Sequence, residues 1–435
     1  MLQNTDMKVI SSKKVNAFGG LNFVHDLLQQ IGIDKLLESH LPALAPQTQY
    51  QWNDIFSTLL SIYFCGGSCI EDAKLILKDH FGYNPFFKLC SPDTLLTRLK
   101  SLQVANLTCK TPRGVMEHDY NNNELLGKLN IKVLKSLGVF AKNEVILDYD
   151  NTIVFTEKSD CKMSYKKKYG YQPGVCFANG KDVVFIENRN GNCNAKSFQN
   201  ETLQRMFDLL SEQNVISKYI FRADAASHQF EVFKTLELNE CTFFIGAKNS
   251  YVEKRFSTVE KWHKFKEGNE DVWIGETTYT PFLKHYKSGQ ESKQYRLLVK
   301  RTPNRNGQVH LITGDAYEYR AIITNDFEKD LHQAVKFYNQ RGAVEKQFDV
   351  LKNHFGWSNL PFSHLAENCV FMYFTAMFRN LYDTIIQTFS KRYKNVRATD
   401  RMKRFIFTFI TKPAVWVKKS RAWCLRVYGE IQLRA

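Results

Sequence analysis

The sequence predicts a mixed α/β fold that follows a helical N-terminal region and precedes a basic, helical C-terminal region. From residue 144 onward, short runs of β-branched and aromatic residues alternate with helical segments, and two of these runs end in carboxylates. The length of 435 residues exceeds what one compact core accommodates. We therefore expect two or three domains.

Residues 1–140 are predicted to be helical. Apolar residues recur at helical spacing in two segments, and Ser91-Pro92-Asp93-Thr94 is typical of a helix N-terminus, where the Ser side chain accepts a backbone hydrogen bond. The apolar positions are Phe23, Val24, Leu27, Leu28 and Ile31, then Leu59, Leu60, Tyr63 and Phe64.

Residues 141–246 carry the pattern of a mixed sheet. Val145-Ile146-Leu147 leads as a strand into Asp148-Tyr149-Asp150, and Asn179-Gly180 between two apolar runs predicts a hairpin. A helix over 197–213, a strand that ends at Arg222-Ala223-Asp224, a helix over 230–236 and a strand over 241–246 follow. The order of three strands, helix, strand, helix and strand favours a mixed α/β sheet.

The rest of the chain divides into three predicted segments. Residues 247–325 are rich in Thr, Tyr, Val and charge, which predicts a β-rich insertion. Residues 326–390 contain a predicted long helix over 328–355 and an apolar helix over 366–389. Residues 391–435 hold 13 Lys and Arg against Asp400 and Glu430, so this segment contributes +11 of the net charge.

The overall charge indicates a polyanionic partner. The 60 Lys and Arg outnumber 44 Asp and Glu, which gives +16 and a pI near 9.2. Trp416, Trp423, Tyr393 and Tyr428 interleave with the basic residues of the tail, which suits a phosphate backbone. A basic amphipathic helix on a membrane surface is the competing interpretation of the tail. The helical N-terminal region could bind DNA, dimerise, or simply be packed.

Cysteine spacing and hydropathy predict a cytoplasmic location. The ten cysteines are scattered without a CxxC pair or a Cys/His cluster at zinc spacing, so free thiols in a reducing compartment are expected. No apolar stretch approaches the ~18 residues that a membrane span needs, so no membrane partner is expected.

Carboxylates at the ends of two predicted strands suggest a metal site. Asp148 and Asp150 point to one face of the same strand, and Asp224 closes another apolar strand. Together with a helical carboxylate they could bind hard divalent cations through oxygen. Two Mg²⁺ ions in such a site can activate a nucleophile and stabilise the leaving oxygen of a phosphodiester.

The helical carboxylate is Glu345. If residues 328–355 form one helix, Tyr338, Arg341, Glu345 and Lys352 lie within about 60° of arc, beside an apolar stripe. Arg341 and Lys352 would then supply positive charge to the phosphate. A solvated face held by salt bridges is the alternative.

At this point the sequence resembles a known family. Tyr338-x₂-Arg341-x₃-Glu345-x₆-Lys352 matches the Y-R-E-K signature of bacterial insertion-sequence DDE transposases. Asp150-Asn151-Thr152 is similar to their first acidic motif, D-x-T, and Arg222-Ala223-Asp224 to their second. Similarity extends over nearly the whole chain, including Tyr165–Pro173, Arg189–Asn192, Gly66-Gly67…Asp72, Thr94…Arg98 and Val417–Leu425.

The resemblance implies an RNase H-like catalytic core, interrupted by the β-rich insertion, that cleaves and transfers DNA strands by phosphodiester hydrolysis and transesterification. It implies that Asp150, Asp224 and Glu345 hold two Mg²⁺ ions, for which Mn²⁺ can substitute. DNA-contacting residues are expected at Tyr338, Arg341, Lys352, Lys166, Lys167 and Lys168. The implied partners are double-stranded DNA, both terminal inverted repeats and target, and a second copy of the chain in a synaptic complex associated with the bacterial nucleoid.

Several alternatives stay open at the level of sequence. Asp148 competes with Asp150 as the first ligand, although the D-x-T match favours Asp150, and Asp349 competes with Glu345. In related enzymes a Trp in the insertion stacks on a flipped base, and Trp262 or Trp273 could do so or could be core residues. The competing functions are a DDE-fold nuclease or recombinase that moves no element, and a catalytically idle copy that only binds DNA.

Overall fold

The computed structural model describes residues 15–434, apart from 83, 86, 112–116, 269, 287–291 and 306–307. The chain divides into two compact units. The sheet unit contains 103–350 and 363–373, and the helical unit contains the residues up to 102 together with 351–362 and 374–435.

The helices and strands have the following bounds. The α-helices are α1 Leu21–Ile31, α2 Ile33–His40, α3 Trp52–Phe64, α4 Lys78–Phe81, α5 Pro92–Lys100, α6 Glu124–Ser136, α7 Gln199–Glu212, α8 Phe230–Leu238, α9 Asn249–Val252, α10 Leu331–Asn339, α11 Ala343–His354, α12 Leu365–Arg392 and α13 Met402–Phe405. The strands are β1 Leu107–Lys110, β2 Glu117–Asn121, β3 Glu144–Asn151, β4 Val154–Phe155, β5 Lys162–Met163, β6 Tyr169–Tyr171, β7 Gly174–Ala178, β8 Asp182–Arg189, β9 Lys218–Ala223, β10 Thr242–Gly246, β11 His263–Glu267, β12 Glu270–Tyr279, β13 Tyr295–Pro303, β14 Tyr317–Thr324, β15 Ala414–Lys419 and β16 Ala422–Val427.

The sheet unit is organised around three parallel strands. β9 pairs in parallel with β3 on one side and with β10 on the other. The full order is β1-β2-β8-β7-β3-β9-β10-β14-β13-β12-β11, and every other pairing in it is antiparallel. The predicted strands and helices over 141–246 are present in the predicted order, but three short strands that were not predicted, β4, β5 and β6, lie between β3 and β7. Asn179 and Gly180 both take positive φ in the predicted hairpin.

The strand-rich character predicted for 247–325 is confirmed as well. β11 to β14 form an antiparallel run, and β14 pairs with β10, so the segment continues the central sheet. Its apolar residues join the same cores as those of β3, β9 and β10.

Each face of the central strands is covered by helices. On one face, apolar residues of α6, α7 and α8 pack with Leu147 of β3 and Phe221 of β9. On the other face, Ala334 and Val335 of α10 pack with Ile220 and Phe244. The carboxylates of interest project toward the α10 face, because Asp148 and Asp150 alternate with the Leu147 and Tyr149 side chains that point to the opposite one.

The prediction of an entirely helical segment before residue 140 was wrong at Leu107–Lys110 and at Glu117–Asn121. β1 and β2 pair with each other, and Tyr120 and Asn121 of β2 pair with β8. Pairing with an existing strand edge fixes a conformation that local propensity does not reveal. Upstream, the N-cap prediction for Ser91 is confirmed, since its hydroxyl accepts a hydrogen bond from Thr94 N.

The prediction of a helical C-terminal segment was also wrong. After α13 and a π-helical turn at Ile406–Ile410, residues 414–427 form the antiparallel β15–β16 hairpin. Phe405, Ile410 and Ala414 are fully buried in the helical unit, so the segment is in part a packing element. Lys418, Lys419, Arg421 and Arg426 of this hairpin are exposed.

No helix among the described residues is long and apolar enough to cross a membrane.

Candidate active site

Asp150 and Asp224 lie at the ends of neighbouring parallel strands. The last pair in the register of β3 and β9 joins Tyr149 to Ala223. Asp150 and Asp224 are the residues that follow these two in the chain. Neighbouring strands are about 4.8 Å apart, so the two carboxylates lie side by side on the α10 face. The register of the two parallel strands therefore brings Asp150 and Asp224 next to each other.

Both carboxylates are partly buried and held by backbone groups. Asp150 Oδ1 accepts a hydrogen bond from Asn151 N at 2.8 Å, and Asp224 Oδ1 accepts one from Ala226 N at 2.9 Å. Burial raises the pKa of Asp150, the nearby negative charge of Asp224 adds to this, and Arg341 opposes it. Two adjacent carboxylates in a site of low dielectric favour a bound cation.

Asp148 is engaged in a buried ion pair and does not face an open site. Its oxygens accept from Arg222 Nε at 2.7 Å and Nη2 at 2.8 Å, and the two side chains are 0% and 3% exposed. Arg222 also donates from Nη1 to the Phe337 carbonyl oxygen at 2.6 Å, and its guanidinium lies over the Phe337 ring. Of the two sequence candidates for the first ligand, Asp150 is therefore the available one.

Arg341 is brought to Asp150. Its Nη1 donates to Asp150 Oδ2 at 3.0 Å, and both side chains are partly exposed. The phenol of Tyr338 donates to the Ala223 carbonyl oxygen at 3.2 Å, directly before Asp224. This contact depends on Gly246, where an added Cβ would lie 2.6 Å from the Tyr338 oxygen. Tyr338 thus positions the end of β9, which differs from the phosphate contact predicted for it.

Glu345 is not part of this cluster. The continuous helix predicted over 328–355 is interrupted by a 3₁₀ turn at Gln340–Gly342, so the angular positions computed for one helix do not apply across it. The reason lies in packing: α10 buries Ala334 and Val335 against β9, β10 and neighbouring strands, whereas Phe348 of α11 contacts Phe177 of β7. Glu345 and its rival Asp349 are both exposed on α11.

The remaining predicted DNA contacts are Lys352 and the three lysines Lys166, Lys167 and Lys168. Lys352 is half-buried in the part of α11 that belongs to the helical unit. Lys166, Lys167 and Lys168 are exposed at the turn between β5 and β6.

Trp262, directly before β11, and Trp273 of β12 are packed against neighbours. The Arg301 guanidinium lies 4.0 Å from the centre of the Trp262 ring, and Trp262 meets Tyr319 edge-on. Trp273 is covered by Lys264 and contacts Tyr317. These contacts agree with the interpretation of both residues as packing elements.

The two aspartates fit an oxygen-ligated cation, but the third carboxylate does not join them. Among the described residues, no three His, Cys, Asp or Glu side chains are close enough to hold a metal ion. Arg341 instead balances the charge of Asp150. A complete carboxylate site would require Glu345 to approach and Arg341 to turn toward the substrate.

Sequence reasoning missed the contribution of Arg222. The motif Arg222-Ala223-Asp224 draws attention to its aspartate, although a buried arginine two residues before a strand-end aspartate needs a buried partner. Asp148, at the corresponding position of the other strand, is that partner.

Comparison with known proteins shows the family. Residues 7–422 match the family model described as transposase DDE domain group 1, and the chain belongs to this family of transposases. No curated protein matches the sequence. Among solved structures, a piggyBac transposase in a synaptic complex with hairpin DNA is similar at 11% identity, with a TM-score of 0.42, over 92% of this chain and 82% of that chain.

Proposed function

We propose that this chain is the transposase of a bacterial insertion sequence, which binds the element's ends and catalyses divalent-metal-dependent cleavage and transfer of DNA strands. The single observation that carries the proposal is the pair Asp150 and Asp224 at adjacent parallel strand ends. Membership in the DDE transposase family supports it.

Asp150, Asp224 and Glu345 are the proposed ligands of two Mg²⁺ ions, which Mn²⁺ can replace. Bound in this site, the ions would lower the pKa of a water or 3′-hydroxyl and stabilise the leaving oxygen. Asp150 and Asp224 are already adjacent, and Glu345 lies in the first turn of α11, directly after the 3₁₀ turn. Rotation of α11 at this turn is the proposed way in which Glu345 reaches the aspartates.

Arg341 is the proposed phosphate-binding residue of the same site. Its guanidinium now pairs with Asp150, and cations there would replace that contact. The freed guanidinium can donate two parallel hydrogen bonds to a phosphate. Tyr338 and Lys352 of the Y-R-E-K pattern would act beside it, Tyr338 through its contact with the end of β9.

The proposed core is RNase H-like. It comprises the strands β3, β7, β8, β9 and β10, which lie across the sheet in the order β8, β7, β3, β9 and β10. Asp150 lies on β3, the first of these strands in the chain, and Asp224 follows β9, the fourth. β11 to β14 would be the insertion that separates Asp224 from Glu345 in sequence.

The proposed partners are double-stranded DNA, as element ends and as target, and a second copy of the chain in a synaptic complex in the bacterial cytoplasm. The net charge of +16 supports a polyanionic partner. Lys166, Lys167 and Lys168 and the exposed basic residues of the C-terminal hairpin are the proposed backbone contacts.

The test compares Asp150→Ala, Asp224→Ala and Glu345→Ala with Asp349→Ala, a control one turn away on the same helix. Each of the first three should abolish Mg²⁺-dependent cleavage while DNA affinity stays nearly unchanged, because these carboxylates hold metal and not DNA. Asp349→Ala should cleave normally.

Four outcomes would contradict parts of this proposal. Substantial cleavage by all three variants would refute the metal site. Loss in Asp349→Ala with activity in Glu345→Ala would move the third ligand. Cleavage without joining of the 3′ end to a second duplex would indicate a nuclease or recombinase, and DNA binding without cleavage by the unmodified protein would indicate an idle copy.

A further inference from the structure

A small β-sheet begins directly after the strand that carries Asp150. β4, β6 and β5 form it in that spatial order, and only Thr152 and Ile153 separate β3 from β4. It is distinct from the large sheet. Its position next to the proposed ligand Asp150 means that whatever it contacts lies near the site of chemistry.

The turn of the hairpin formed by β5 and β6 is held by three hydrogen bonds. Ser164 donates to the Lys168 carbonyl oxygen from its backbone N at 2.9 Å and from its hydroxyl at 2.7 Å, and Lys167 N donates back to Ser164 O at 2.9 Å. At its base, the buried Tyr171 donates to Asp160, whose carboxylate also accepts from Leu365 N at 2.8 Å. The hairpin is thus held in place at both ends.

The hairpin and β4 carry large apolar side chains that are exposed. Tyr165 at the turn is 73% exposed, and Tyr169, Phe155 and Met163 are each about half exposed. Several exposed apolar side chains close together in a basic segment indicate a contact surface.

Lysines lie beside these side chains in the sequence. Lys162, Lys166, Lys167 and Lys168 are exposed, and within the described residues no acidic side chain forms an ion pair with them. Lys166 lies 5.5 Å from the centre of the Tyr165 ring, and Lys168 lies 5.4 Å from that of Phe155. The charges are therefore available to a polyanion.

Both faces of the small sheet carry exposed large apolar side chains. Phe155 pairs with Gly170, which pairs with Lys162, so Phe155 and Lys162 share one face. Met163 pairs with Tyr169 on the opposite face. A sheet that lies flat on a partner contacts it through one face only. A hairpin with exposed contact residues on both faces is suited to enter a groove, where both faces meet the partner.

We propose that the β5–β6 hairpin enters the major groove of duplex DNA beside the cleavage site, with its lysines on the phosphates and Tyr165 against the base edges. The major groove is about 12 Å wide and admits a two-stranded β-ribbon. This inference rests on the proposed function, and it adds a mode of contact that the metal site does not require.

The test uses a duplex of about 30 base pairs, near three helical turns, and measures affinity as a function of salt. Alanine at Lys166, Lys167 and Lys168 together should reduce the slope of log affinity against log salt by about 2–3, because each lost phosphate contact removes about 0.9. The control replaces Lys128, Lys264 and Lys293, each of which pairs with a carboxylate, and should change the slope little.

A second variant separates the ring from the charges. Tyr165→Ala should weaken binding roughly tenfold at every salt concentration with an unchanged slope. Leu238→Ala, which removes a side chain of similar exposure at 72%, should have no effect. A dye that occupies the major groove should compete with the unmodified protein, and a minor-groove ligand should not.

The outcomes distinguish this inference from the proposed function. Unchanged slope and affinity in both hairpin variants, with normal cleavage, would overturn the hairpin contact and leave the function standing. Competition by the minor-groove ligand alone would also overturn it. Absence of DNA binding and cleavage in the unmodified protein would overturn the proposed function itself.

Discussion

Replacement of Asp148 tests whether it is a structural partner or a metal ligand. Asp148 and Arg222 form a two-pronged ion pair with almost no solvent exposure. Removal of the carboxylate in Asp148→Ala leaves the guanidinium buried, with only the Phe337 carbonyl oxygen and ring as partners. Breaking such a pair from one side costs about 3–5 kcal/mol of folding free energy.

The assay measures the free energy of unfolding of the full chain in urea, and DNA cleavage is measured on the same samples. The double variant Asp148→Leu/Arg222→Met removes both charges and should recover most of the loss, because an apolar pair of similar volume avoids the cost of a buried unpaired charge. What remains is chiefly the lost hydrogen bond to the Phe337 carbonyl, about 1 kcal/mol. A double-mutant cycle built from Asp148→Leu, Arg222→Met and the double variant should therefore give a coupling energy of about 2 kcal/mol or more.

A metal ligand would behave in the opposite way. Loss of one of several clustered carboxylates would leave the unfolding free energy nearly unchanged and would abolish cleavage. The reasoning would be refuted if Asp148→Ala costs less than about 1 kcal/mol and eliminates cleavage while Asp150→Ala still cleaves.

Three further predictions concern separate parts of the molecule. Arg341→Lys should reduce cleavage at least about tenfold while the melting temperature changes little, because Lys cannot form two parallel bonds to a phosphate; near-normal cleavage would leave Arg341 only the structural pairing with Asp150. Alanine at the exposed Lys418, Lys419 and Arg426 of the C-terminal hairpin should lower the salt slope of DNA binding by about 0.9 for each contact; an unchanged slope would leave the hairpin a packing element. Burial lowers the pKa of His118 to about 4, so the unfolded chain, with a pKa near 6.5, takes up the proton first. The stability that neutral His118 contributes is therefore present above pH 6.5 and lost as the pH falls to 4, at about 1.4 kcal/mol per pH unit; His118→Gln should flatten the measured slope by one proton.

The sequence by itself determined the elements whose signals are local. Asn179-Gly180 specifies a turn because both residues tolerate positive φ, and Ser91 begins a helix because its hydroxyl satisfies a free backbone N–H. The apolar runs before Asp150 and Asp224 specify strands. The positions of these two aspartates at strand ends were therefore predictable, and their adjacency followed once the two strands paired in parallel.

The tertiary structure decided what depends on partners distant in sequence. Asp148 and Asp150 lie on the same strand and point to the same face. Because Arg222 lies opposite Asp148, Asp148 forms a structural ion pair, whereas Asp150 remains available to the site. The periodicity of 328–355 is consistent with one helix, but its two apolar halves pack on different strands, and the chain breaks at Gln340–Gly342 to satisfy both. Helical periodicity reports that a face is apolar, whereas the surface that buries this face is fixed only when the sheet has formed.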